Sequence, residues 1–530
     1  MHFRTLLLFL LAGLLLAACA KNSTHSRSGK PYDLLIRNAR VVDGTGNPWF
    51  YADVAVSGDR IVRVGRNLPG EARQTIDARN RILAPGFIDV HAHAENVYEN
   101  PSERFFRMGV TTLVTGNCGS SVTAVDSFLT LAASRPVALN IATLVGHNSV
   151  RHKVMGAANR RPTADERRQM EALVEKGMQD GAVGFSTGLI YVPGTYADTE
   201  EVVALAKAAA KHGGVYASHI RNEEGKVYEA IREAIHVGRQ TGMPVEISHF
   251  KVGSKRMWGA SENTLDLVRE ARRSGLQVTV DQYAYTASST RLSSNLIPAW
   301  ALAGGPEEGK RRLDHPDTLA RIVAEMKAEL TNDGFTDYSF AVVANYKADT
   351  TLNGKSIAQL AGLVRRDSTL DGQIAQIFEM YRGGDAQMVY HKMDEPDVER
   401  ILREPFTMVA SDAGPGNYRA GVPHPRGYGN NARVLGRYVR ERGIISLEDA
   451  IRKMTSLPAQ TFGFRDRGLV REGYVADLLL IDEATVGDRA TFEEPHQYAA
   501  GFDYVLVNGK AVVAEGKTTG TLPGKAIRRE

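Results

Sequence analysis

Eight short apolar runs, separated by amphipathic stretches of helical period, constrain this chain more than any other feature. The runs are Ile82 to Val90, Thr111 to Gly116, Ala138 to Val145, Ala182 to Phe185, Val215 to Ser218, Val245 to Ser248, Gln277 to Val280 and Phe406 to Ala410. Runs this short and this apolar read as strands buried on both faces. Between them, Ala164 to Met178, Thr199 to His212, Lys226 to Gly242, Leu265 to Gly275 and Asn430 to Arg442 carry the period of helices that cover a sheet. Alternating strand and helix give a parallel sheet, and eight repeats predict a closed (β/α)8 barrel. The interval 290–394 breaks the rhythm. It is too long for a loop and reads as a subdomain inserted over the barrel mouth.

Two strand-like segments, Asp33 to Val42 and Asp53 to Val64, come before the first run, with turns at Asp43-Gly44-Thr45-Gly46 and Ser57-Gly58-Asp59. Similar material returns at Asp477 to Ile481, Tyr504 to Val507 and Ala511 to Val513. These ends predict one small β domain from 32–82 and 468–530, with the barrel at 83–467.

The first residues have another purpose. His2 and Arg4 precede an apolar run, Leu6 to Leu16, which is short for a bilayer span and suits a signal h-region. The run ends Leu16-Ala17-Ala18-Cys19, which resembles the lipobox of bacterial lipoproteins. That resemblance implies a signal peptide over 1–19 and a lipidated Cys19. With Ala20 next, it implies sorting to the periplasmic face of the outer membrane. A plain secretory signal cleaved nearby is the alternative. Residues 20–31 are polar and read as a tether. If Cys19 carries lipid, Cys118 has no disulfide partner in the chain and is either a buried thiol or a ligand.

A net charge of +4 over 530 residues gives no reason to expect nucleic acid as a partner. The chemistry lies at the ends of the apolar runs. His91 and His93 end the first, Cys118 comes after the second, His219 after the fifth, His249 after the sixth and Asp412 after the eighth. A barrel keeps its active site at those strand ends. Alternate residues of an extended chain point the same way, so His91 and His93 leave in one direction. Imidazole, thiolate and carboxylate are the usual zinc ligands. Donors drawn from five strands exceed the needs of one closed structural ion and predict an open catalytic site with one or two ions. A carboxylate such as Asp412 suits the proton transfers of amide hydrolysis. No Gly-x-Ser-x-Gly elbow or phosphate loop competes.

The motifs GFIDVHAH, GVTTLVTGNCG, ASHIRNE, VEISHFK, YAYTASST, ASDAG, HPRGYG and GTLPGKAIR resemble those of the amidohydrolase superfamily. Within it they are most similar to the N-acyl-D-amino-acid deacylases, or D-aminoacylases, from about Asp33 onward. The resemblance implies a metal-dependent TIM barrel with a β-sandwich built from both termini. It implies a tight zinc on Cys118, His219 and His249, and a weaker second ion on His91 and His93. Asp412 would be the catalytic acid/base and a further ligand. Many relatives bridge two ions with a carboxylated lysine on the fourth strand. Here that strand reads AVGFSTGLI and has no lysine, and the resemblance implies that Cys118 takes the bridging place.

By the same resemblance Lys251, Tyr283, Ser289 and Arg426 hold the substrate α-carboxylate. Phe250 and Ala284 depart from the relatives' pattern and bear on side-chain preference. The implied reaction is zinc-dependent hydrolysis of N-acyl-D-amino acids. The alternatives are a dipeptidase for L-Xaa-D-Xaa peptides, another cyclic-amide amidohydrolase, and a metal-binding lipoprotein without catalysis. The partner is a small-molecule substrate, with membrane contact through the N-terminal lipid only. Of the other histidines, His147, after the third strand, is a secondary candidate for the mouth, and His236, inside a helix, reads as a surface or packed residue. His212, His315 and His391 receive no role. Gly414, Gly416, Gly421, Gly427 and Gly429 predict a mobile lid after Asp412.

Overall fold

The computed structural model describes residues 31–100, 102–416 and 418–529. The signal segment, Cys19 and almost all of the tether lie outside the described residues. Among those described, no helix is long and apolar enough to cross a membrane.

Eight parallel strands form the barrel. They are Phe87–Asp89, Val110–Thr115, Asn140–Thr143 continuing as Val145–Gly146, Gly184–Gly188, Val215–His219, Val245–Ile247, Val278–Gln282 and Thr407–Val409. The third strand spans its interruption through Leu144 N, which donates to Thr115 O at 2.9 Å, and Thr143 O, which accepts from Val183 N at 2.9 Å. The ring closes between the eighth and first strands. Asp412 N donates to His91 O at 2.9 Å and His93 N donates to Ala413 O at 2.8 Å. Buried Asp89 ties the same seam, since its Oδ1 accepts from His91 N and from Ser411 N, both at 3.1 Å. The covering helices fall where the sequence period put them. One, Ala164–Gln179, starts on a capping box between Thr163 and Glu166. Another, Val227–Thr241, buries Val227, Ile231, Ala234 and Gly238 along one stripe.

The first apolar run divides. Ile82–Pro85 belongs to the terminal sheet, paired with Leu478–Ile481 and with Tyr32–Val41, so that sheet extends past the boundary expected at 82. Phe87–Asp89 alone enters the barrel. Gly86 is the joint because a side chain has no room there. A Cβ would stand 2.2 Å from Thr111 Oγ1 and 2.4 Å from Thr111 Cγ2.

Nine strands from both ends of the chain share one connected sheet, which folds over a core containing Ile36, Val54, Ile61, Leu83, Leu478 and Leu506. Tyr32–Val41 forks it, running parallel to Ala72–Asp77 along its first half and to Ile82–Pro85 at its end. Ala72–Asp77 escapes sequence detection because only Ile76 of its six residues is buried, which leaves no alternation to read. The sheet grips the barrel floor through a buried polar knot. Asn140 Nδ2 donates to Asp477 Oδ2 at 3.1 Å, Asn508 Nδ2 donates to Asn140 Oδ1 at 2.7 Å, and Asn508 N donates to Asp477 Oδ1 at 2.7 Å.

The insertion is a small domain with its own core, including Ile322, Met326, Ile374, Ile377 and Met388. Its antiparallel sheet orders Ser288–Arg291, Gln387–Tyr390 and Ala341–Asn345, and so starts at Ser288.

Gly86→Ala is expected to destabilise the protein by ~1–3 kcal/mol through overpacking against Thr111, read as a lower Tm. Gly86→Ala combined with Thr111→Ala should recover part of that loss. Equal Tm values for wild type and Gly86→Ala would show that the joint tolerates a side chain.

Candidate metal centre

The strand ends bring the predicted donors together. Cys118 Sγ lies 3.3 Å from His91 Nε2, 3.5 Å from His219 Nδ1 and 3.6 Å from His249 Nε2. Asp412 Oδ1 lies 3.1 Å from His93 Nε2 and 3.6 Å from His91 Nε2. Three overlapping triads result: His91, His93 and Cys118; Cys118, His219 and His249; and His91, His249 and Asp412. Cys118 belongs to two of them, so its sulfur stands between two potential ion positions.

A tetrahedral zinc with ordinary bond lengths sets sulfur and nitrogen ligands ~3.6 Å apart and two nitrogens ~3.3 Å apart. Both sulfur edges of the Cys118–His219–His249 triad match. The third edge, His219 Nδ1 to His249 Nε2, is 2.7 Å and has to open by roughly 0.6 Å around an ion. The donor set is soft and nitrogen-rich, which suits zinc.

Three of these residues stand in left-handed backbone conformation: Cys118 at φ 52°, His249 at φ 37° and Asp412 at φ 49°. Each such residue costs about 1–3 kcal/mol and tends to occur where surrounding structure enforces it for function. The turn swings each side chain inward from its strand end.

A second ring of buried charge fixes the histidines. Asp281 Oδ2 lies 3.0 Å from His91 Nδ1, and Asp281 Oδ1 accepts from His249 N at 2.9 Å. Glu223 Oε1 lies 2.9 Å from His249 Nδ1 and accepts from Lys251 Nζ at 2.6 Å. Carboxylates on Nδ1 leave Nε2 of His91 and His249 free to face the centre. Burial pushes the Cys118 thiol up, but His91, His219 and His249 outweigh it and hold the thiol well below its ordinary range. Burial likewise pushes Asp412 up. Arg426, His91 and His93 outweigh it and keep the carboxyl well below the usual carboxylate range. Arg426 Nη2 reaches Asp412 Oδ2 at 2.9 Å, so Oδ1 is the oxygen facing the histidines.

The centre opens into a cavity of about 1680 Å³ between the barrel mouth and the insertion. Ser289 and Arg426 line it together with His93, Cys118 and Asp412. Lys251 and Tyr283 lie deeper, 7% and 1% exposed. Lys251 is engaged by Glu223 and by His249 Nδ1, while the Arg426 guanidinium sits over the Tyr283 ring at 4.5 Å. Ser289 Oγ donates to Met388 O at 2.7 Å.

Two secondary readings are not met. His147 is fully buried and does not line the cavity, with Nε2 2.9 Å from Glu201 Oε1, because it faces inward from a helix whose Asn148, Ser149, His152 and Lys153 line the cavity instead. The glycines after Asp412 do not form one loose lid. Gly427 and Gly429 lie in the helix Arg426–Arg433, and a Cβ on Gly429 would stand 2.5 Å from Asp488 Cβ. Close packing, rather than freedom, demands that glycine.

Sequence reasoning missed Asp281, Glu223 and His424. His424 holds the Arg426 turn, with Nε2 donating to Ala287 O at 2.8 Å and Nδ1 accepting from Arg426 N at 3.0 Å. Asp281 carried a signal, being a carboxylate directly after the strand-like run Gln277 to Val280, in a strand that is buried at every residue and a costly place for a charge without a partner.

A parallel barrel with soft metal donors converging at its strand ends defines a metallohydrolase-type barrel. The amidohydrolase family profile matches residues 74–513, and the chain belongs to that family. It is 34% identical to a D-aminoacylase of Alcaligenes xylosoxydans xylosoxydans, over 94% of this chain and 98% of that one. It is 36% identical to an N-acyl-D-glutamate deacylase of the same organism, over 94% and 97%. A crystal structure of the N-acyl-D-glutamate deacylase from Bordetella bronchiseptica, complexed with zinc and a phosphonate inhibitor, superposes with a TM-score of 0.80. It is 33% identical, covering 94% of this chain and 100% of that one.

Asp281→Ala should weaken zinc binding by roughly 10–100-fold by freeing the His91 ring. Cys118→Ala should weaken it further. Titration against a competing chelator reads both, and wild-type affinity in Asp281→Ala would remove its supporting role.

Proposed function

We propose that the protein is a zinc-dependent hydrolase that cleaves the amide bond of N-acyl-D-amino acids, releasing a carboxylate and a free D-amino acid. The observation that carries this reading is the meeting, at one barrel mouth, of the Cys118–His219–His249 triad with Asp412. Kinship with deacylases along nearly the whole chain supports it.

Cys118, His219 and His249 would hold the tighter ion, and His91 and His93 a weaker one. Zinc in such a site acts as a Lewis acid toward water and an amide carbonyl. The protein's own contribution is proton handling and placement. Ionised Asp412 takes a proton at Oδ1 from the attacking water and returns it to the departing nitrogen. Arg426 keeps Oδ2 occupied and fixes the carboxylate's orientation. Its Nη1 has no acceptor among the described residues and is the donor available for the substrate α-carboxylate. Ser289 stands beside it at the cavity wall, and Lys251, paired with Glu223, and Tyr283 provide a rigid floor beneath.

Purified protein should release D-amino acids from N-acetyl-D-amino acids and leave the L-enantiomers intact. Asp412→Asn keeps the shape and loses the base. It should lower kcat by roughly 10² to 10⁴ with little change in KM and with zinc retained. Near-normal kcat with zinc in place would assign the proton transfers elsewhere.

We propose also that Cys19 carries lipid and tethers the enzyme in the cell envelope, on the periplasmic face of the outer membrane. The Leu16–Cys19 motif supports this. Cys19→Ser should move the protein from the membrane fraction to the soluble one. Unchanged fractionation would remove the lipid anchor.

A further inference from the structure

We propose that Arg104 recognises a second carboxylate on the substrate, so that the preferred substrates carry two acidic groups rather than one. This rests on the deacylase reading above and narrows it. Arg104 belongs to the short helix Glu103–Phe106 between the first and second barrel strands, and it lines the same cavity as His93, Asp412 and Arg426. Its guanidinium is wedged against two glycines near the centre. Nη2 lies 3.0 Å from where a Cβ on Gly416 would stand, and Nη1 lies 3.4 Å from that position on Gly427. A larger residue at Gly416 would crowd it, while at Gly427 a Cβ would only touch it. Its central carbon sits 5.5 Å from the centre of the Tyr428 ring and 5.8 Å from that of Phe105.

The group lacks a counter-charge. Its buried Nε has no acceptor among the described residues, and only the tyrosines Tyr428 and Tyr498 offset the burial of its charge. The buried cations at the mouth are matched, whereas Arg104 is half-buried with only its Nε enclosed. Lys251 has Glu223, Arg426 has Asp412, and Lys392 has Asp333 at 2.8 Å. A buried charge without a partner is costly, and a ligand anion removes that cost. The planar fork of a guanidinium suits a carboxylate. The two guanidinium groups also stand on different aromatic platforms, Arg426 on Tyr283 and Arg104 on Tyr428. With Arg426 given to the α-carboxylate, Arg104 is left for another. That second carboxylate can belong to the D-residue side chain or to the acyl group, and the chemistry of recognition is the same.

The test compares wild type, Arg104→Gln and Arg104→Lys on N-acetyl-D-glutamate, N-succinyl-D-leucine and N-acetyl-D-leucine, with zinc content and Tm measured for each. In Arg104→Gln the ratio of kcat/KM for a diacid to that for N-acetyl-D-leucine should fall about tenfold or more, chiefly through KM. Arg104→Lys should keep part of the ratio. A fall confined to the glutamate substrate places the carboxylate on the side chain, and a fall confined to the succinyl substrate places it on the acyl group. Ratios within about twofold of wild type for both diacids would overturn the proposal, whatever happens to overall activity. Turnover of N-acetyl-D-leucine with unmoved ratios defeats this inference alone. No turnover of any of the three by wild type defeats the deacylase reading and this inference with it. If Arg104→Gln fails to fold, wild-type preferences decide. N-acetyl-D-glutamate should be favoured over N-acetyl-D-glutamine, or N-succinyl-D-leucine over N-butyryl-D-leucine. A neutral partner equal or better in both pairs overturns the proposal.

Discussion

The seam between the first and last barrel strands is the contact on which the rest depends. Asp412 N on His91 O, His93 N on Ala413 O and the paired hold of Asp89 on His91 N and Ser411 N complete the barrel. The same bonds set Asp412 against His91 and His93. Residues more than 300 apart in the chain therefore meet as a consequence of ring closure. The seam is buried, so its backbone groups have no water to fall back on and its geometry is tightly specified.

Burial also explains why the centre is layered. A cluster of imidazoles, a thiolate and carboxylates in a low-dielectric interior survives only where each charge is answered. Asp281 and Glu223 answer His91, His249 and Lys251, and Arg426 answers Asp412. This ring holds the donor atoms in place ahead of any ligand, so little reorganisation remains when one arrives. Left-handed backbone at Cys118, His249 and Asp412 is sustained by the same over-determined surroundings.

The two ends of the barrel are divided between stability and chemistry. At the floor, Asn140, Asp477 and Asn508 lock the terminal sheet to the third strand, and Ile141 exchanges backbone hydrogen bonds with Lys525 and Ile527. At the mouth, the insertion has its own core and walls a cavity far larger than an amino acid requires. Folding the insertion around a separate core lets the mouth vary without disturbing the barrel.

Much of this was legible in the sequence. Short apolar runs alternating with stretches of amphipathic helical period were read as strands from their length, their flanks and that alternation together, and eight of them gave the barrel. The donors His91, His93, Cys118, His219, His249 and Asp412 were visible because each ends a run, and a strand end is a fixed place in a barrel. The division of Ile82–Val90 at Gly86 was not visible, since two buried strands in different sheets have the same apolar character. Nor were the roles of Glu223 and Asp281, or the inward position of His147. A lone polar residue in a buried element has no periodicity, and its meaning depends on which side chain packs opposite. The sequence by itself determined which residues end the strands. Only the tertiary structure decided which charges face one another, because pairing across the barrel is set by ring closure and not by neighbours in the chain.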